Sequence, residues 1–248
     1  MAHIPASSRR TLKPIILWGL AGLALAAALW TPATTRQGVD FELRTVRQPL
    51  FLKAMDFVDR HFHYRTLARE ITQGASTDEE RVRRIFEWTH EHIRPVPGNL
   101  PIVDDHIWHI IIRGYGTEDQ ANDVFATLCV YAGVPAFWTW LPGPGVELGL
   151  VLSFVTLDGR QIPLDPYHGR IFTKLDGSLA DREDLIRDPS LMEQGFAPLI
   201  VHGVPYGGYA ASLRHIHQPQ PPRAQLQMPL YRLWYEVSRR CGIWSFSA

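Results

Sequence analysis

Only two cysteines, Cys129 and Cys241, occur in 248 residues. Neither a four-cysteine zinc site nor a disulfide framework can be built from them, although one bridge could. A surplus of either charge is also missing, because Lys+Arg 25 balances Asp+Glu 25. Binding to a phosphate backbone therefore has no driving term, and nucleic acid is excluded as a partner. Charged residues make up 20% of the chain against 46% hydrophobic ones, which is too apolar for a disordered polymer. The chain is long enough to bury a core without covalent staples, and its length fits one domain with appendages. No internal repeat is present.

The first feature that stands out is a run without charge. Arg9, Arg10 and Lys13 precede it with no acidic residue among them, and Pro14 to Trp30 (PIILWGLAGLALAAALW) then continues for 17 residues. At ~1.5 Å rise per residue it spans about 25 Å, the lower limit for a membrane helix. It reads either as a signal peptide, with Ala24, Ala26 and Ala28 near a cleavage point, or as an uncleaved anchor with Trp30 at the interface. The anchor is favoured, because the run exceeds the usual ~7–15 residues of a signal core and Trp-Thr-Pro is a poor junction to cut. The basic flank puts the N-terminus inside and the rest of the chain outside the cytoplasm.

Beyond a mixed stretch up to Leu50, the spacing predicts a helix over Phe51 to Ile71. Ser76 with Glu79 predicts a capping box, and Val82, Ile85, Phe86, Thr89 and Ile93 a helix that Pro95 stops. Val103 to Ile112 reads equally as helix or strand. Thr117 and Gln120 then predict a second capping box, with Glu118 and Asp119 in the first turn. Ala121, Val124, Phe125, Leu128, Cys129 and Ala132 follow as one apolar stripe, which Gly133 closes ahead of Pro135. Strands are expected over Ala136 to Leu141, Leu148 to Leu157 and Arg160 to Leu164. Asp158-Gly159 between the last two is a strong hairpin signal. Gln218 to Arg223 is a Pro-rich linker, after which Leu230, Leu233, Trp234, Val237, Cys241 and Trp244 recur at helical spacing with Arg239 and Arg240. That stripe suits either a membrane or partner surface, or packing against the domain.

The middle of the chain resembles the transglutaminase-like core of the papain-type superfamily. The resemblance covers about Ser76 to Phe172 and rests on a capped helix ending Phe-x-x-Leu-Cys-x-x-x-Gly-Val-Pro-Ala, a strand, and a hairpin closing on Leu-Asp-Pro. It implies an α+β fold in which a central helix packs on an antiparallel sheet. In that family a cysteine nucleophile opens the central helix, a histidine lies on the first hairpin strand, and an Asp-Pro aspartate orients the ring. A helix N-terminus and a nearby imidazolium lower the thiol pKa, and the carboxylate sets the useful tautomer. Laid on this sequence, the nucleophile position falls on Glu118, or on Thr117 with a one-residue slip. The histidine position falls on Leu150, with Leu152 at the family's following aromatic. Only Asp165 matches, and no histidine occurs between His109 and His168. Cys129, on the apolar stripe, reads as a core residue.

The domain plan is a cytoplasmic segment over residues 1–13, the anchor over 14–30, a linker over 31–50, the transglutaminase-like domain over 51–217, and a Pro-rich linker with an amphipathic segment over 218–248. Asp104, Asp105, His106 and His109, with His90, Glu91 and His92, are the densest metal-capable cluster, yet they read as polar residues on exposed turns. The pairs His61/His63 and His215/His217 read as solvent-facing. No metal and no cofactor is expected. Thr117, Glu118, Asp119, Asp165 and His168 are the candidates to line a groove at the helix start, and Asp123 could join the acids there. The functional expectation is a catalytically inactive binding or scaffolding component of the cell envelope, with a peptide or glycan ligand, held at the inner (plasma) membrane with its domain periplasmic or extracellular. The alternatives are a hydrolase or transferase using Glu118 and Asp165, and a structural subunit of a membrane complex.

Overall fold

The computed structural model describes residues 8–39, 42–103 and 106–242; Asp104, Asp105 and Trp244 lie outside them. The apolar run lies within helix α1 (Ser8–Trp30), and every side chain from Ile15 to Trp30 is exposed. Among the described residues no helix is long and apolar enough to cross a membrane. The stretch expected as a linker is instead an antiparallel ribbon of β1 (Pro32–Val39) and β2 (Glu42–Pro49). Its β-branched Thr34, Thr35, Thr45 and Val46 suit extended backbone, but without an alternating apolar face the sequence carries no strand signal.

Helix α2 (Leu50–Ile71) buries Tyr64 and Ala68, and α3 (Asp78–His92) buries Val82, Ile85, Phe86 and Thr89. The cap of α3 sits one residue later than the sequence suggests. Thr77 accepts from the Glu80 N–H, and Glu80 in turn takes the Ser76 N–H at 2.6 Å. Strand β3 (Arg94–Pro95) leads towards α4 (Ile107–Arg113), which settles the ambiguous stretch as helix. Ile107 and Ile110 share its buried side, and Gly114, in the left-handed region at φ 72, ends it. Strand β4 (Tyr115–Gly116) pairs in parallel with β3 and delivers the chain to α5 (Glu118–Tyr131). That helix is central. The Thr117/Gln120 capping box is present, and every residue from Gln120 to Val130 is buried, so the apolar stripe is wrapped all round and not on one face alone.

Strands β5 (Ala136–Leu141), β6 (Leu150–Leu157), β7 (Arg160–Asp165) and β8 (Arg170–Ile171) form an antiparallel meander in that order. The β6–β7 turn places Asp158 at φ 49 and Gly159 at φ 76, the two positive dihedrals that make Asp-Gly a hairpin signal. Both faces of the sheet are covered. Ala136, Val155, Ile162 and Leu164 join α2, α3, α4 and α5 in one apolar cluster, while Phe137, Leu141, Leu150, Leu152 and Phe154 belong to a second. Two-sided burial explains why β6 reads as a nearly continuous apolar run.

The second cluster is closed by irregular chain: α6 (Arg182–Arg187), the short pair β9 (Ile200–Val201) and β10 (Val204–Pro205), and 3-10 turns over Pro189–Met192 and Tyr206–His215. Arg182 Nε donates to Leu213 O at 2.7 Å and holds this layer down. The chain then crosses to α7 (Pro229–Arg240), where Ser238 is buried but Leu230, Leu233, Trp234 and Val237 face outwards. The Tyr131 hydroxyl donates to Gln227 O at 2.8 Å and lies 2.9 Å from His61 Nδ1, tying the start of this segment to α5 and α2.

Candidate functional site

The start of α5 is built to present one side chain. Thr117 is the N-cap, its hydroxyl donating to the Asp119 carboxylate and its N–H to Gln120 Oε1 at 3.2 Å. Gln120 is fixed in turn by Arg113 Nη2 at 3.1 Å and by its own donation to Val103 O at 2.8 Å. Thr117 and Asp119 are thus paired with each other, and Glu118 turns towards the end of the sheet.

There it meets an imidazole. His168 Nε2 lies 3.7 Å from Glu118 Oε1, while Nδ1 lies 2.8 Å from Asp165 Oδ2. Asp165 is wholly buried; its Oδ1 accepts the His168 backbone N–H at 2.9 Å, and Tyr206 donates to Oδ2 at 2.5 Å. Because Ser153 pairs with Leu164, Leu150, Leu152 and Asp165 share one sheet face by alternation. Leu152 stands level with Asp165 and Leu150 two positions along the same apolar face, and the ring comes from the turn that follows β7. Gly169 makes that turn possible. Its φ is +68, and a Cβ on it would stand 2.7 Å from the His90 ring, whose Nδ1 lies 3.0 Å from Pro166 O. Tyr206 is steadied by the buried Arg170, whose guanidinium sits 4.2 Å over its ring and donates to Met192 O and Ala197 O.

Two effects oppose each other at Glu118: a helix N-terminus favours its charged form, and burial disfavours it. Burial wins. Desolvation pushes the Glu118 carboxyl above the usual glutamate range, with repulsion from Asp165 adding to it, against the pull of His168 and His202 and a hydrogen bond from the Val151 N–H. At His168 burial pulls downwards, but the hydrogen bond and charge of Asp165, with the charge of Glu118, outweigh it and raise the ring above its ordinary value. The Glu118 carboxyl, the His168 ring and the Asp165 carboxyl thus form one coupled set. No thiol stands beside the ring, and Nε2 is the nitrogen that faces Glu118.

Of the sequence candidates, Glu118, Asp165 and His168 converge. Thr117 and Asp119 flank them, while Asp123 is engaged elsewhere, taking the Trp138 indole N–H at 2.5 Å and the Arg223 guanidinium at 3.0 Å. Cys129 is wholly buried, and desolvation pushes its thiol well above the usual range. A thiol-reactive probe on the folded chain should therefore label the exposed Cys241 and spare Cys129; labelling mapped to Cys129 by peptide mass would contradict this placement. His106 and His109 meet edge to face at 5.7 Å, and His63 stacks on Trp108 at 4.7 Å. Among the described residues no group of three or more His, Cys, Asp or Glu side chains could hold a metal ion. Sequence reasoning missed Tyr206, Arg170 and the Val151 N–H; Tyr206 reaches the site from a distant, irregular layer, whereas Arg170 stands on β8 opposite Asp165.

Residues 65–144 match the sequence profile of the transglutaminase-like superfamily. The matched segment includes Glu118 and ends before Leu150, Asp165 and His168. No curated protein sequence matches the chain. Among solved structures, it is similar to a proposed protease from Parabacteroides distasonis (14% identity, TM-score 0.36, covering 54% of this chain and 35% of that one). It is also similar to a proposed cysteine protease from Cytophaga hutchinsonii (16% identity, TM-score 0.37, covering 48% of this chain and 40% of that one). The chain thus spans less than half the length of either protein. Residues 65–144, which hold the capped central helix α5 and the first strand of the sheet, β5, are thus a transglutaminase-like segment.

Proposed function

We propose that this protein is a catalytically inactive transglutaminase-like binding component of the cell envelope, anchored through α1, whose groove at the start of α5 receives a peptide or glycan. One observation carries the reading: the nucleophile position holds the Glu118 carboxyl, so no thiol faces the His168 ring that Asp165 orients. A glutamate carboxyl in that place supplies no thiolate nucleophile. Anchoring is supported by the apolar run to Trp30, by its basic flank and by the exposure of its side chains on α1. The groove then lies on the periplasmic or extracellular side of the inner (plasma) membrane.

The raised pKa of Glu118 favours a second reading, in which its carboxyl serves as a general acid or base. Glu118→Gln separates the two. In the binding reading the variant melts within about 1 kcal/mol of the parent, as for other first-turn charges, and complements a deletion strain. A stably folded Glu118→Gln protein that fails to complement, with turnover down by roughly 10²–10⁴-fold once a substrate is known, would overturn the inactive reading.

A further inference from the structure

The apolar stripe of α7 is the least explained surface of the molecule. Leu230, Leu233, Trp234 and Val237 recur at three- and four-residue steps and are 82%, 62%, 58% and 45% exposed. The helix is held by other sides, with Ser238 buried and Tyr231 and Tyr235 half-buried. Arg232, Arg239 and Arg240 flank the stripe against a single acid, Glu236, which pairs with Arg232 and Arg239. A second stripe runs along α2, where Met55, Val58 and Phe62 are exposed on the side away from buried Tyr64 and Ala68. That stripe begins where α1 ends: Trp30 stacks on Phe51 with ring centroids 5.1 Å apart. Helix α7 itself packs against α2.

We propose that α7, with the outward stripe of α2, lies on the anionic lipid surface from which α1 emerges. The occupant follows from charge and continuity. A short helix with an apolar stripe that includes Trp, flanked by arginines and carrying a net positive charge, matches an interfacial helix on acidic headgroups. The α2 stripe starts at the exit residue of the anchor, so lipid is the first surface that it meets. Tethering through α1 keeps α7 at high effective concentration near the bilayer, so its few apolar side chains suffice. The inference rests on the anchor reading, and docking would fix which way the groove at α5 faces.

The exposed thiol of Cys241 lies one residue beyond α7, while Cys129 is wholly buried, so an environment-sensitive maleimide such as NBD reports on α7 alone. The labelled full chain is reconstituted into vesicles of phosphatidylcholine with 30% phosphatidylglycerol, or of phosphatidylcholine only. We expect blue-shifted NBD emission, quenched at least twofold by doxyl lipids, in the anionic vesicles. Leu233→Glu/Trp234→Glu should abolish both signals, and Arg239→Glu/Arg240→Glu should reduce them. Carbonate extraction of the same vesicles reports on α1 independently. A chain that resists extraction while its probe stays in water overturns the docking and leaves the anchor standing. A chain that is extracted although its probe was lipid-quenched overturns the anchor and supports the docking. A blue shift that appears without lipid and grows with protein concentration assigns the stripe to a second copy of this chain and overturns the inference.

Discussion

Replacing Glu118 by cysteine should turn the site into a reactive thiol centre. The new thiol would stand at the start of α5 and face the ring that Asp165 already orients. A helix N-terminus and an imidazolium together bring a cysteine from about 8.5 into the range of roughly 3.5–7.5. For a pKa near 6.5, the thiolate fraction at pH 6 rises about 80-fold over a free thiol. The lower nucleophilicity of a more acidic thiol takes back about eightfold, leaving a net gain of about tenfold. The measurement is the iodoacetamide rate of Glu118→Cys in a Cys241→Ser background, followed from pH 5 to 9. His168→Gln in the same protein should return the rate to that of a free thiol. If the new cysteine reacts no faster than free cysteine at pH 6, His168 is not placed to act on residue 118, and kinship with a thiol site fails at its central point.

The second large effect is expected at Asp165. Replacing it by Asn puts an amide among three donors, the Tyr206 hydroxyl and both N–H groups of His168, at a position with no exposure. Breaking a buried, charge-assisted set from one side costs roughly 3 kcal/mol. For a chain of this size that lowers Tm by about 6–12 °C.

The pH dependence gives an independent check. His168 has a raised folded pKa, so the stability it contributes is complete below its unfolded value of 6.5 and is lost as pH rises through the folded value. Glu118, also raised, adds a loss of the same sign that begins above 4.5. The parent should therefore lose stability from this cluster as pH rises from 4.5 through 6.5 and on through the folded value of His168, and Asp165→Asn should flatten the part due to His168. A variant as stable as the parent, with an unchanged pH profile, would show that Asp165 is not the keystone of the cluster.

The sequence discloses what is decided within a few residues. Thr117 and Gln120 cap α5 as their spacing demands, Asp158-Gly159 turns the β6–β7 hairpin, and Gly133 closes the central helix. Less is legible where two local solutions compete. Ile110-Ile111-Ile112 suits a strand or a helix, and Gly114 at φ 72 with Ile107 on the buried side decided for helix. The Ser76/Glu79 pattern was one residue early because Thr77 offers the same hydroxyl in an extended conformation. At the site, Asp165 and His168 could be named as candidates, but their spacing of three says nothing of whether they touch. That depends on the tight turn through Gly169. Tyr206, 41 residues from Asp165 along the chain, was beyond any local signal.

The close approach of Gly169 to His90 makes the end of α3 a mechanical neighbour of the groove. Because a single hydrogen atom is all that stands between the turn and that ring, the position acts as a shim of zero thickness. A side chain at residue 169 would have to displace the His90 ring, so Gly169→Ala is expected to push the end of α3 and the turn that carries His168 apart.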